Sequence, residues 1–167
     1  MDNTARTCGS CTACCKTHMV QELEKPVGTW CTHCDRGKGC AIYATRPVGC
    51  KDFACLWLMS IEGEKDLPPH KSGIVPDMQI LPTVGPTLVL YEYKAGTFKT
   101  SAWAKELRAK YLGADKPMAI MYVPVHEPPS LVIIDGEHPS ADVFTLNGKR
   151  LRGRRAQRSD NKLFVPE

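Results

Sequence analysis

Four thiols stand within eight residues, at Cys8, Cys11, Cys14 and Cys15, and five more follow at Cys31, Cys34, Cys40, Cys50 and Cys55. The chain has 167 residues, and none after Cys55 is a cysteine. Such segregation describes one thiol-based construction at the N-terminal end, not cysteines scattered as small core residues. Residues 1–6 have no apolar core and are unlike a secretory leader. The chain is therefore expected in the cytoplasm, where thiols are held reduced. Nine is also an odd number, so a complete disulfide framework would leave one thiol over. The pattern points to metal ligation.

The spacings sharpen that reading. A Cys-x-x-Cys turn brings two sulfurs to one ion at about 2.3 Å. Cys8-x-x-Cys11 and Cys31-x-x-Cys34 are separated by residues 12–30, within the gap of roughly 15–20 residues between the two pairs of a four-cysteine zinc ribbon. Cys14, Cys15, Cys40, Cys50 and Cys55 remain. Neighbouring side chains diverge, so Cys14 and Cys15 are expected to serve one each of two nearby sites, or one of them to stand behind the ligands. Two zinc ions would use eight cysteines, with the ninth spare or bridging. Against zinc stands a 4Fe-4S cluster: Cys8-x-x-Cys11-x-x-Cys14 matches the spacing of the first three ligands of a bacterial ferredoxin cluster, and Cys50, shortly after Pro47, is a candidate fourth. Thiolates suit both metals. Zinc is the first reading and iron–sulfur the alternative.

The formal net charge is +4. Two tetrathiolate zinc sites would lower it by roughly four, so the basic balance is weak evidence for an acidic partner.

The order of blocks Cys8-Gly9-x-Cys11-x-x-Cys14-Cys15, Trp30-Cys31-x-His33-Cys34, Gly39-Cys40-x-Ile42-Tyr43-x-x-Arg46-Pro47 and Cys50-x-x-x-x-Cys55 resembles the YkgJ-type CxxCxxCC family, described as a zinc- or iron-chelating domain. The resemblance covers about residues 8–58. It implies metal coordination by Cys8, Cys11, Cys14, Cys15, Cys40, Cys50 and Cys55, with a further ligand at either Cys31 or Cys34. A similar cysteine block accompanies flagellin lysine methylation enzymes, but the chain is short and has no Gly-rich methyl-donor motif, so that activity is not carried over.

Other residues have competing readings. His33 and His18 lie close to cysteines, where a histidine more often donates a hydrogen bond to sulfur than ligates. Arg46 is read as a positive neighbour of an anionic metal–thiolate centre. A thioredoxin-type role for Cys31-x-x-Cys34 wants a strand-to-helix junction that is not evident there. Residues 149–158 hold Lys149, Arg150, Arg152, Arg154, Arg155 and Arg158. With no interleaved aromatic residue this run is read as a solvated basic tail, and nucleic-acid binding is not favoured. No nucleophile elbow, Walker loop or dinucleotide fingerprint occurs.

The expected architecture is α+β. A cysteine-cluster module stapled by metal (residues 1–61) packs on a small, mostly antiparallel sheet with one helix. Residues 62–86 read as an extended, Pro-rich connector and 87–167 as the α+β unit. Phe53 to Ile61 is expected to be helical and to cover the cluster. Strands are expected at Thr87–Tyr93, Met118–Val125, Leu131–Ile134 and Asp142–Leu146, and Asn147-Gly148 is a hairpin-type turn. A helix is expected at Thr100–Leu112, with Trp103, Leu107 and Tyr111 on one face. No apolar run is long enough for a membrane span. The expected function is metal binding in a mainly structural role that supports recognition of a protein partner. The alternative is an iron–sulfur protein in electron or methyl transfer.

Overall fold

The computed structural model describes residues 6–61, 67–81, 84–115, 118–125, 131–135, 143–146 and 149–155. Its first part is built of short pieces: α1 (Cys14–Thr17), β1 (Cys34–Asp35), β2 (Gly39–Cys40) and α2 (Val48–Asp52). After α3 (Pro69–Ser72) come β3 (Ile74–Leu81) and β4 (Gly85–Glu92), then α4 (Thr97–Thr100) and α5 (Ala102–Leu112). The chain ends in β5 (Ala119–Pro124), β6 (Leu131–Asp135), β7 (Val143–Leu146) and β8 (Lys149–Arg155). The fold is α+β.

Six strands form one sheet in the order β3-β4-β5-β6-β8-β7. Three of the five pairings are antiparallel; β4–β5 and β6–β8 are parallel. A parallel pair needs a long crossover, and α4 and α5 supply it between β4 and β5. Helix α5 begins where its capping chemistry dictates: the Ser101 hydroxyl accepts a hydrogen bond from the Ala104 N–H at 3.1 Å. It ends at Gly113.

Both faces of the sheet are covered. Leu88, Leu90, Ile120, Tyr122 and Ile133 meet Phe98, Trp103, Ala104 and Leu107, so α4 and α5 shield one face. Val89, Tyr91, Met121, Val123, Val132 and Ile134 form the other face, and there Ala13, Val27, Met19 and Phe53 of the cysteine-bearing segment pack on them. Trp30 meets Tyr93 edge-on at 6.0 Å between ring centroids.

Two expectations change. The connector is extended, but residues 74–81 are an edge strand paired with β4 along its whole length. Pro76 is tolerated there because an edge strand leaves one row of N–H groups without a ladder partner. Its carbonyl accepts the Leu56 N–H at 3.0 Å, tying the cysteine segment to the sheet edge. The helix expected over Phe53 to Ile61 is a single turn. Met59 N–H donates to Cys55, then Ser60 N–H to Trp57 and Ile61 N–H to Leu56, with Ser60 at φ 58°. That bond pair with a left-handed residue is a Schellman stop, which closes the turn and prevents helix from propagating. The Asn147-Gly148 turn lies outside the described residues, although β7 and β8 pair antiparallel with Leu146 opposite Lys149. Among the described residues no helix is long and apolar enough to cross a membrane.

Helix α5 is also tied to the sheet by charge. Arg108 Nε donates to the Asp135 carboxylate, which is buried at the end of β6. Arg108→Ala strands that carboxylate, and urea denaturation is expected to show a loss of about 3 kcal/mol. Adding Asp135→Asn should recover part of it, and losses of the two single variants that simply add in the double variant would refute the coupling.

Candidate metal centre

The two Cys-x-x-Cys segments fold as tight turns. Cys11 N–H donates to the Cys8 carbonyl at 2.7 Å, and Cys34 N–H to the Cys31 carbonyl at 3.1 Å. Main-chain bonds then lay the second block on the first: Cys31 N–H donates to the Cys15 carbonyl at 2.9 Å, and Gly28 N–H to that of Lys16 at 3.0 Å. Between β1 and β2 the chain reverses through Gly37 at φ 78°, a left-handed position that suits glycine, so that Cys34 stands opposite Cys40. The Gly37 N–H also donates to the Thr12 hydroxyl at 3.3 Å, fixing this small hairpin against the start of α1.

These turns surround one cavity of about 450 Å³. Cys8, Cys11, Cys14 and Cys15 line it from the first block, and Cys31, Cys40, Cys50 and Cys55 from the rest. Adjacent Cys14 and Cys15 both open on this cavity. Cys34 does not line the cavity; its thiol contacts those of Cys15 and the Thr12 hydroxyl. All nine cysteines are free thiols, and each is partly buried. They line the cavity without closing on a point: among the described residues no group of three or more His, Cys, Asp or Glu side chains has a geometry ready to hold a metal ion.

Crowding sets the electrostatics. Burial pushes the Cys34 and Cys55 thiols up to about 11, with the neighbouring thiols Cys15 and Cys11 adding to the effect. The hydrogen bond that the Cys15 thiol donates to Cys14, with burial, raises Cys15 much further. Cys8 and Cys50 are raised chiefly by burial, and the Arg46 guanidinium beside Cys8 partly offsets this. A pack of thiols in a half-dry cleft resists ionisation until a cation shares the space.

Two cations are already built in. Arg46 lines the cavity, as its sequence position suggested, and its guanidinium lies 3.9 Å from the Tyr43 ring centre. Lys25 was not singled out from the sequence. It is buried, and its ammonium donates to the carbonyls of His18, Pro26 and Lys16, the last two at 3.2 and 3.5 Å. Burial lowers its pKa, while Cys31, Cys15, Cys14 and Cys50 pull it up. Nothing in the local pattern around Lys25-Pro26 marks a buried lysine, because the groups that hold it are main-chain carbonyls, which every residue carries.

Histidine behaves differently at its two positions. His18 lines the cavity, buried between Phe53 and Tyr91 with centroids at 4.0 and 4.3 Å. Its Nδ1 is 2.8 Å from the Thr17 hydroxyl, and its Nε2 is 3.7 Å from the Asp77 carboxylate. Burial lowers its pKa and keeps the ring neutral. His33 is not among the residues that line the cavity.

Compared with protein-family models, curated proteins and solved structures, the chain matches none.

The raised thiols make a pH prediction for the reduced, metal-free chain. Cys34 and Cys55 hold their protons to about 11 when folded against an ordinary value of 9.0. The folded chain therefore binds protons more tightly than the unfolded chain between those values, and stability falls as pH rises through them. Urea midpoints of chelated, reduced protein should be level from pH 7 to about 8.5 and decline toward about pH 11. A midpoint that rises over that range would overturn the assignment.

Proposed function

We propose that this chain is a metal–thiolate protein in which the cavity cysteines hold zinc, two ions per chain, in a mainly structural role. The observation that carries the reading is the convergence of eight of nine cysteines on one cavity with no disulfide among them. Two tetrahedral zinc ions need eight thiolates, and Cys8, Cys11, Cys14, Cys15, Cys31, Cys40, Cys50 and Cys55 are that many. Cys34 is then the thiol left to hydrogen-bond or bridge. The donor set suits a soft thiophilic ion, and Lys25 and Arg46 temper the negative charge that eight thiolates bring.

The structural role follows from what else holds this segment. Residues 6–61 bury only a few apolar side chains, Ala13, Val20, Val27, Leu56 and Trp57, and their helices and strands are no longer than five residues. A core that thin is supplemented by ligand bonds, as in other small metallo-domains. The bound metal would fix the exposed apolar residues Tyr43, Val48, Met59 and Ile61 as a surface for a protein partner. The cytoplasm, where thiols stay reduced, is the matching compartment. The resemblance to the YkgJ-type CxxCxxCC family agrees with this chemistry.

A 4Fe-4S cluster is the second reading. It is favoured by the single shared cavity, together with the Cys8-x-x-Cys11-x-x-Cys14 spacing. It would make the protein an electron- or methyl-transfer component.

Elemental analysis and a visible spectrum of anaerobically purified protein decide between them. The zinc reading expects about two zinc ions per chain and no visible absorbance. Iron with sulfide and a brown colour would replace it by the second reading. Chelation, or Cys8→Ser or Cys50→Ser, should weaken hydrogen-exchange protection across residues 6–61 by roughly tenfold or more while leaving the segment folded. It should also loosen Val89, Tyr91, Met121 and Val123, whose face that segment covers. Unchanged protection without metal would sink the structural role.

A further inference from the structure

The cavity is larger than its proposed metals need. Its volume of about 450 Å³ equals that of roughly fifteen liquid waters and lies in the range of ordinary small-molecule pockets. Two metal ions held by sulfurs that already form the wall would fill a small part of it. Beyond the thiols much of the wall is apolar, with Val20, Leu23, Ile42, Phe53 and Leu58. Among the described residues no aspartate or glutamate lines it. The cations on the wall differ from each other. Lys38 is exposed and already paired with Asp35 at 3.2 Å. Arg46 has its Nε buried without a hydrogen-bond partner, and among the described residues no carboxylate pairs with it. The indole N–H of Trp57, on the same wall, is also buried without a partner. Arg6 holds that residue in place, its Nη1 donating to the Trp57 carbonyl at 2.8 Å and its guanidinium lying 5.0 Å from the ring centre. Both unpaired donors belong to one end of the cavity: Arg46 lies beside Cys8, Cys8 neighbours Cys55, and the Cys55 thiol receives the Trp57 main-chain N–H. A buried N–H without an acceptor is costly, and two on one wall point to an acceptor that enters the cavity.

We infer that the cavity binds a free α-amino acid with an apolar side chain beside the metal. The ligand's carboxylate accepts parallel N–H bonds from Arg46, the two-pronged fit that guanidinium and carboxylate share, and the Trp57 indole supplies a further donor. The ligand's ammonium faces the metal-held thiolates, which accept N–H hydrogen bonds and carry more negative charge than the ions return. Its side chain covers Val20, Leu23 and Phe53, where removal of apolar surface from water is favourable. Charge selects this class. A plain carboxylate would set a further negative charge against the thiolates, and a plain cation would leave the Arg46 and Trp57 donors unmet. A zwitterion answers both, and the closeness of Arg46 to Cys8 suits an ammonium and a carboxylate borne on one carbon. A guanidinium has five N–H groups, so Arg46 can serve a thiolate and a carboxylate together. The inference rests on the proposed metal–thiolate centre, with either metal, for the charge that faces the ammonium.

The test is isothermal titration calorimetry of the full-length protein, as purified with its metal, against L-leucine, with metal content measured on the same sample. Saturable binding is expected. N-acetyl-L-leucine, which lacks the ammonium, and L-leucine methyl ester, which lacks the carboxylate, should each bind roughly tenfold or more weakly. Arg46→Gln should lose a similar factor for L-leucine with its metal content unchanged, and Arg46→Lys should recover only part of it. Lys38→Gln should bind as the parent does. Metal-loaded protein without saturable binding overturns this inference alone, whereas protein free of zinc and iron overturns the metal reading with it. Either derivative binding as tightly as L-leucine, or equal losses in Lys38→Gln and Arg46→Gln, would also overturn the inference.

Discussion

Strands β4 and β5 are buried on both faces, with Leu88, Val89, Leu90 and Tyr91 lying beside Ile120, Met121, Tyr122 and Val123 at no measurable exposure. A sheet centre of this kind must be covered twice. One cover is α5, whose Trp103, Ala104 and Leu107 supply the apolar stripe. The other is the cysteine-bearing segment, which lacks any long helix and offers Ala13, Val27, Met19 and Phe53. Order in that segment and dryness of the sheet are therefore one event. Whatever holds the thiols in place also holds the second cover on the core.

The same packing shapes the cavity. The segment is anchored at the sheet edge by the Leu56–Pro76 main-chain bond, and Val75 of β3 contributes to the cavity wall. Thiols pressed together on a half-buried wall resist ionisation, and a buried ammonium pays a desolvation cost of its own. Lys25 lies where the two penalties offset each other: three carbonyls receive its N–H groups, and the nearby thiols favour its charge. A thiophilic cation would take that balance further, since coordination deprotonates the thiol outright.

By itself the sequence determined what local chemistry controls. The thiol block, the two Cys-x-x-Cys turns, the strand content of 87–93 and 118–125, and a helix running from Ser101 to Gly113 all follow from spacing, capping and propensity over a few residues. Tertiary structure decided the rest. Strands buried on both faces lose the alternation that would have named their partners, so nothing in Leu88 to Tyr91 told which side takes the helix and which the cysteines. The strand at Ile74–Leu81 was hidden by Pro76, because an edge position excuses a missing N–H and edge position is a property of the whole sheet. That Cys14 and Cys15 share a cavity with Cys50 and Cys55, and that the arginine run is an interior strand, depend on contacts between residues distant in the chain. Such contacts exist only once the chain has closed on itself, and no window of sequence contains both partners.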